Sequence, residues 1–202
     1  MIDFQKTRIN TAGAYVFIHG LYPFAIGTEL HNGHIPVFRL GGHRLGHENG
    51  WQCAVREVYE ETSLRINSLT PSTTYLLPDG DCADAELKKI QWQYETELEP
   101  IPVLVVAYHR EIETLLSLMY LAQTDEFPTL SSEIRGLLLL EREDIHRLCQ
   151  EPVTLEQYLR GGGKALLNHE FDRSLFLEPF TQLRLLSRIL LEESEGANAV
   201  YR

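Results

Sequence analysis

The stretch "GGHRLGHENGWQCAVREVYEETSL", residues 41–64, sets a glycine pair and a polar loop ahead of a segment with helical period. Trp51, Val55, Val58 and Thr62 recur at i, i+4, i+7 and i+11, one stripe suited to face a core. Glu57, Glu60 and Glu61 stand at i, i+3 and i+4, so a helix stacks them on a common face, about a quarter to a third of a turn from that stripe. Like charges at this spacing repel by roughly 0.2–0.5 kcal/mol per pair. A metal ion, a basic partner or solvent must offset that cost. A helix docked by its apolar stripe would hold the three carboxylates at the edge of a cleft, and hard oxygen donors clustered there suit Mg²⁺ or Mn²⁺ bridging to phosphate.

Before this stretch, "AGAYVFIHG" (12–20), "FAIGTEL" (24–30) and "IPVFRL" (35–40) read as short strands, the last two separated by the turn-prone "HNGH". After it, "TTYLL" (73–77) reads as a strand and "PDGDCADAE" as an acidic loop. "IQWQYETELEP" (90–100) alternates apolar and polar residues, the pattern of a half-exposed strand. "IPVLVVAYHR", "LLSLMYLAQ" and "IRGLLLL" follow as strands and "REDIHRLCQ" as a short helix. From about Pro152 onward a helical extension is expected, ending in a helix from about Pro179 to Glu193. "GGGK" (161–164) lacks the spacing and the following Ser or Thr of a phosphate-binding loop and reads as a helix terminator. The expected architecture is α/β or α+β, a sandwich with a mixed β-sheet, with one domain over 1–150 and a C-terminal helical extension, 151–202, packed on it.

A chain of 202 residues with 44% hydrophobic content can bury a sizeable core. Its formal net charge of −11 argues against broad binding to nucleic acid or anionic lipid, because both need a basic surface. Cys53, Cys82 and Cys149 are odd in number and form no CxxC pair, which fits a reducing compartment rather than a disulfide framework. "MIDFQKTRIN" has no apolar signal core, and "VLVVAY" and "LLLL" are too short to span a bilayer. The expectation is a cytoplasmic protein without membrane or nucleic-acid partners.

A glutamate pair on a helix is by itself an ordinary solvated face. The whole string decides otherwise: Gly42, five residues, Glu48, seven residues, Arg56-Glu57, Val58, one residue, Glu60-Glu61, one residue, Ser63, Leu64. This resembles the Nudix box, G-x5-E-x7-R-E-U-x-E-E-x-G-U with U a bulky aliphatic residue. With each fixed residue near ~6–7% of average composition, a chance match of the Gly, Glu and Arg positions is remote. Ser63 stands where the box has its second glycine, just past the helix, where a left-handed conformation is common and a Cβ costs roughly 1–2 kcal/mol.

The resemblance implies a Nudix-like fold and a divalent-metal-dependent hydrolase that cleaves the pyrophosphate bond of a nucleoside diphosphate linked to another moiety, by water attack at phosphorus. By position in the box, Glu57, Glu60 and Glu61 would hold the metal and Gly42 would present backbone to it or to phosphate. Arg56 would orient a catalytic glutamate, and Glu48 would support the loop. The general base would be a box glutamate or a carboxylate on a distant loop, for which Glu133 in "TLSSEIRG" is the candidate. His43 and His47 in the box loop could reach phosphate or be merely solvated, and His43 and Arg44 are candidates for substrate binding. Trp92 and Tyr94 would stack a base, pack into the core or line a homodimer seam. The substrate signatures for NADH and coenzyme A are absent, and Pro78 lies near, though out of register with, the proline of ADP-ribose enzymes. A nucleotide-derived small molecule, ADP-ribose-like or a nucleoside diphosphate sugar, is the leading substrate, with a nucleoside triphosphate next. A catalytically weak nucleotide-binding module is the alternative.

Overall fold

The structure, a computed structural model, describes residues 7–92 and 100–200. The chain forms two compact units: residues 1–18 with 40–131, and residues 19–39 with 132–202. The contacts therefore do not divide the chain near residue 150: the early hairpin and the strand and helix before residue 150 belong with the C-terminal segment. Within each unit, strand pairing joins segments far apart in sequence, which a reading along the chain does not reveal.

In the first unit, the described residues include a seven-stranded mixed sheet. Its strands are β1 (Thr7–Phe17), β4 (Leu40–His43), β5 (Asn67–Leu69), β6 (Thr74–Leu77), β7 (Lys88–Ile90), β8 (Leu104–His109) and β9 (Thr114–Gln123). The order is β4-β1-β9-β8-β6-β7, with β5 also on β9. β1 runs parallel to β9 and antiparallel to β4, which brings Gly42 opposite Ala12 and His43 opposite Thr11. β4, with sequence "LGGH", is too short and glycine-rich to read as a strand, and its pairing with β1 makes it one. β7 ends at Ile90, Gln91, Trp92 and Pro100 are not in a strand, and residues 93–99 of the strand expected over 90–100 lie outside the described residues. Tyr94 lies outside the described residues. Trp92 packs half-buried against the core of Ile9, Ala12, Val105, Leu116 and Leu118.

Helix α1 (Gly50–Thr62) packs on β1, β4 and β9. Asn49 caps its start: the Asn49 side chain accepts from the Gln52 N–H at 2.7 Å, and the Gln52 side chain accepts from the Asn49 N–H at 2.9 Å. The buried face is Gly50, Cys53, Ala54, Val58, Glu61 and Thr62. Val58 and Thr62 of the expected stripe are there, while Trp51 and Val55 sit at its margin, half-buried. Small residues win the centre because the helix approaches the sheet closely. A Cβ on Gly50 would come within 2.4 Å of Tyr120 Oη and 2.8 Å of Leu118 Cδ1.

The helix ends at Ser63, with φ 59° and ψ 11°, and the Ser63 N–H donates to Tyr59 O at 2.8 Å. Serine thus takes the left-handed conformation expected at this position. Its side chain is exposed. Ser63→Gly is therefore expected to raise stability by up to about 1 kcal/mol, since the glycine has no Cβ to crowd that conformation. Chemical denaturation checks this, and a clear loss of stability would show that the serine hydroxyl makes a needed contact.

In the second unit the five-stranded sheet has the order β11-β10-β2-β3-β12. Its strands are β2 (Tyr22–Ile26), β3 (Ile35–Phe38), β10 (Gly136–Leu140), β11 (Lys164–Leu167) and β12 (Leu177–Pro179), with helices α2 (Arg142–Gln150), α3 (Leu155–Arg160) and α4 (Thr181–Val200). β3 and β12 pair in parallel, and the other neighbours pair antiparallel. "HNGH" closes the β2–β3 hairpin, with Asn32 (φ 51°) and Gly33 (φ 80°) in the left-handed conformation such turns demand. The segment 151–202 carries two strands besides its helices. "GGGK" ends α3 as expected: Gly162 takes φ 95° and Lys164 opens β11. Both units are α+β, with mixed parallel and antiparallel pairing. Among the described residues no helix is long and apolar enough to cross a membrane.

Candidate active site

The double glycine of the box has two separate physical reasons. Gly41 adopts φ 136°, and its N–H donates to Glu61 Oε2 at 2.9 Å. Gly42 leaves room for the Glu57 carboxylate: a Cβ there would lie 2.3 Å from Glu57 Oε2. Strand β4 is thus shaped around two of the glutamates on α1.

Arg56 organises the rest. Its Nε donates to Glu48 Oε1 at 2.6 Å and its Nη2 to Glu48 Oε2 at 3.1 Å, a bidentate pair. Nη1 donates both to Glu57 Oε1 at 2.8 Å and to Glu60 Oε2 at 2.7 Å. Nη2 also reaches the His43 carbonyl at 2.9 Å, which ties the end of β4 to the helix. An internal guanidinium therefore offsets the like-charge cost of "REVYEE". One positive charge against the three carboxylates Glu48, Glu57 and Glu60 still leaves the cluster net negative.

Glu48 is only 7% exposed and accepts in addition from the Leu45 N–H at 3.0 Å. The hydrogen bond from Arg56 holds its carboxyl below the usual carboxylate range, and Arg56 in turn is more firmly protonated than an ordinary arginine. Behind Arg56, Cys53 is fully buried, with its thiol 3.7 Å from Gly42 O and 3.9 Å from Arg56 Nη2. Burial pushes this thiol up to about 11. It is a neutral packing group at neutral pH, not a nucleophile.

Arg44 is tied to backbone carbonyls on both sides of the loop. Its Nε donates to Ile9 O on β1 at 3.0 Å, its Nη1 donates to Glu48 O, and its own N–H donates to Asn10 O at 2.9 Å. It staples the loop that carries Glu48 to β1. The His43 side chain is exposed at the end of β4. Glu133 belongs to the second unit, two residues before Arg135 and just ahead of β10, where it borders a cavity. Sequence reasoning missed Gly41, Cys53 and the stapling role of Arg44. The doubled glycine was the available signal for the first. The other two depend on which backbone carbonyls come near, and only tertiary pairing sets that.

Glu61 diverges from its neighbours: it is buried and turned to the Gly41 N–H, whereas Glu57 and Glu60 share Arg56 Nη1. Among the described residues, no three His, Cys, Asp or Glu side chains converge on one cation position. The donor set nonetheless fits a hard divalent cation. Glu57 and Glu60 each keep one carboxylate oxygen without a hydrogen bond among the described residues, and Glu60 is 40% exposed.

No family model matches the chain, and no curated protein sequence matches it. Several solved structures are similar to it. One is an Ap4A hydrolase binary complex from C. elegans, at 15% identity and a TM-score of 0.44, over 69% of this chain and 85% of that one. Another is a NUDIX-family hydrolase from Clostridium perfringens, at 15% identity and a TM-score of 0.42, over 68% and 84%. A third is a MutT protein from Methanosarcina mazei Go1, at 14% identity and a TM-score of 0.42, over 70% and 82%.

Proposed function

We propose that this chain is a Nudix-type pyrophosphohydrolase acting on a nucleoside diphosphate linked to another moiety, with an ADP-ribose-like compound or a nucleoside diphosphate sugar as the leading substrate and a nucleoside triphosphate next. The observation that carries the reading is the fan of Glu48, Glu57 and Glu60 around Arg56, set against Gly42 of β4, which has no side chain where the Glu57 carboxylate lies. A solvated helical face needs neither a buried glutamate behind the arginine nor a glycine in front of it.

Glu57, Glu60 and Glu61, with the Gly42 backbone, are the groups that would hold Mg²⁺ or Mn²⁺. Such an ion supplies positive charge against the diphosphate oxygens and acidifies the attacking water. The chain's own residues do the rest. Glu48 keeps Arg56 in place through two hydrogen bonds that do not involve the other glutamates, so Glu57 and Glu60 can exchange their guanidinium contact for another cation without losing their scaffold. The net negative cluster draws that cation in. A glutamate removes the proton from water as it attacks phosphorus, and we assign that role to a box carboxylate or to Glu133. Glu133→Gln separates the two: a large fall in kcat, relieved at higher pH, places the base at Glu133, and little change places it in the box.

Mn²⁺ binding without substrate is expected to be weak, because hard cations of this kind retain water and rely on substrate oxygens. Glu57→Gln and Glu61→Gln should each weaken it further. Calorimetry showing unchanged Mn²⁺ affinity in both variants would overturn the metal assignment. A panel of nucleotide substrates with Mg²⁺ or Mn²⁺, scored for release of phosphate or nucleoside monophosphate, tests the activity. Binding without turnover across the panel would favour a nucleotide-binding module instead.

A further inference from the structure

Strand β1 carries an irregularity beside the loop that leads to α1. Its pairing with β9 matches Ile9 to Leu116 and Thr11 to Ser117, so Asn10 is an extra residue in β1, a β-bulge. In a regular strand successive carbonyls point to opposite edges, and a neighbour on one side receives only alternate ones. Here the consecutive carbonyls of Ile9 and Asn10 both accept from one residue, Arg44, which follows β4. The Arg44 Nε donates to Ile9 O at 3.0 Å and the Arg44 N–H to Asn10 O at 2.9 Å. The bulge supplies two adjacent acceptors where the strand by itself would supply one.

What Arg44 holds from this seat is the turn 45–48. The Glu48 N–H donates to Leu45 O at 3.0 Å and the Leu45 N–H to Glu48 Oε2 at 3.0 Å, so the turn closes on itself. Leu45, Gly46 and His47 are exposed, and no apolar burial fixes the turn at these residues. Glu48 O accepts from Arg44 Nη1, which links the far end of the turn back to the bulge. Glu48 in turn holds Arg56 by two hydrogen bonds, and Arg56 Nη1 holds Glu57 and Glu60. A continuous chain of contacts therefore runs from the bulge through Arg44, Glu48 and Arg56 to the carboxylates of α1.

We propose that Arg44, seated on the Asn10 bulge, is a positioning residue: it acts through Glu48 and sets where Arg56 presents Glu57 and Glu60. Arginine suits this role because its planar fork reaches Ile9 O and Glu48 O from separate nitrogens at a fixed separation. A lysine offers a single nitrogen to both. In its effect on turnover the inference rests on the hydrolase reading; in its effect on Glu48 and Arg56 it does not.

The test is the solvent exchange of the Arg56 Nε–H, followed by NMR in the full chain without substrate or added metal. In the wild type this proton is held by Glu48 Oε1 at 2.6 Å and should exchange slowly. Arg44→Met keeps the stem and removes the side-chain donors. It should speed the exchange about tenfold or more, the factor that goes with a lost hydrogen bond, while the backbone spectrum of the sheet strands stays in place. Arg44→Lys should lie closer to Arg44→Met than to the wild type. In a nucleotide assay Arg44→Met should lower kcat by about tenfold or more with little change in KM, because misalignment is felt in the transition state. Unchanged Arg56 exchange in Arg44→Met, or wild-type exchange in Arg44→Lys, would overturn the proposal; so would a raised KM with kcat unchanged, which would make Arg44 a substrate contact. If Arg44→Met does not fold, the exchange rate in Arg44→Lys decides. Faster Arg56 exchange in the variants of a chain that turns over no nucleotide would leave the positioning role standing and remove the hydrolase reading alone.

Discussion

Glu60→Gln is expected to lower kcat by roughly 10³-fold or more while the protein stays folded. Glu60 is the most exposed of the three glutamates around Arg56, and it contributes one hydrogen bond to a guanidinium that Glu48 and Glu57 still hold without it. Its removal therefore costs little structure. It does cost a full negative charge at the position where a cation must bind as charge develops on the phosphoryl oxygens. An effect confined to the transition state lowers kcat and kcat/KM together. In ¹⁸O-labelled water the wild-type enzyme should place label on a phosphate product and none on the carbon skeleton of the other moiety. Full turnover by the Glu60→Gln variant would sink the metal-site reading and return "REVYEE" to a solvated helical face.

Arg56→Met carries the largest expected loss of stability, roughly 2–3 kcal/mol at neutral pH, because it leaves Glu48 buried without its charge partner. The size of this loss depends on pH in a definite direction. Arg56 lowers the Glu48 pKa in the folded protein, so the stability this pair contributes is fully present above the unfolded glutamate value of about 4.3. It is lost as pH falls through the lowered folded value. The gap between wild type and variant should therefore be widest near neutrality and close toward acid. Urea unfolding at several pH values checks this. A gap that stays constant down to pH 3 would mean that the loss comes from packing of the arginine stem against Cys53 rather than from the Glu48 charge.

Much of the site was legible in the sequence because it is local. The spacing from Gly42 to Leu64 specifies a helix with Glu57, Glu60 and Glu61 on adjoining positions, and helical geometry follows from the chain itself. The left-handed end at Ser63 was legible from its place just past the helix, where that conformation is common. The strands that read as continuous apolar runs, β8, β9 and β10, were legible through burial on both faces. Short strands such as β4, β7 and β12 were not, because their residues carry no strand preference and become strands only by pairing with distant partners.

The sequence alone thus determined the helix and the identity of the charged groups on it. The tertiary structure decided how those charges are divided. Helical spacing puts three glutamates near one another and cannot say which of them turns to the Gly41 N–H and which share Arg56. That division depends on β4 pairing with β1, which brings the two glycines of β4 up to α1, and on Arg44 tying the Glu48 loop to Ile9. These contacts join residues far apart along the chain. Their geometry is set by packing and hydrogen-bond satisfaction across the unit, and no local periodicity encodes it.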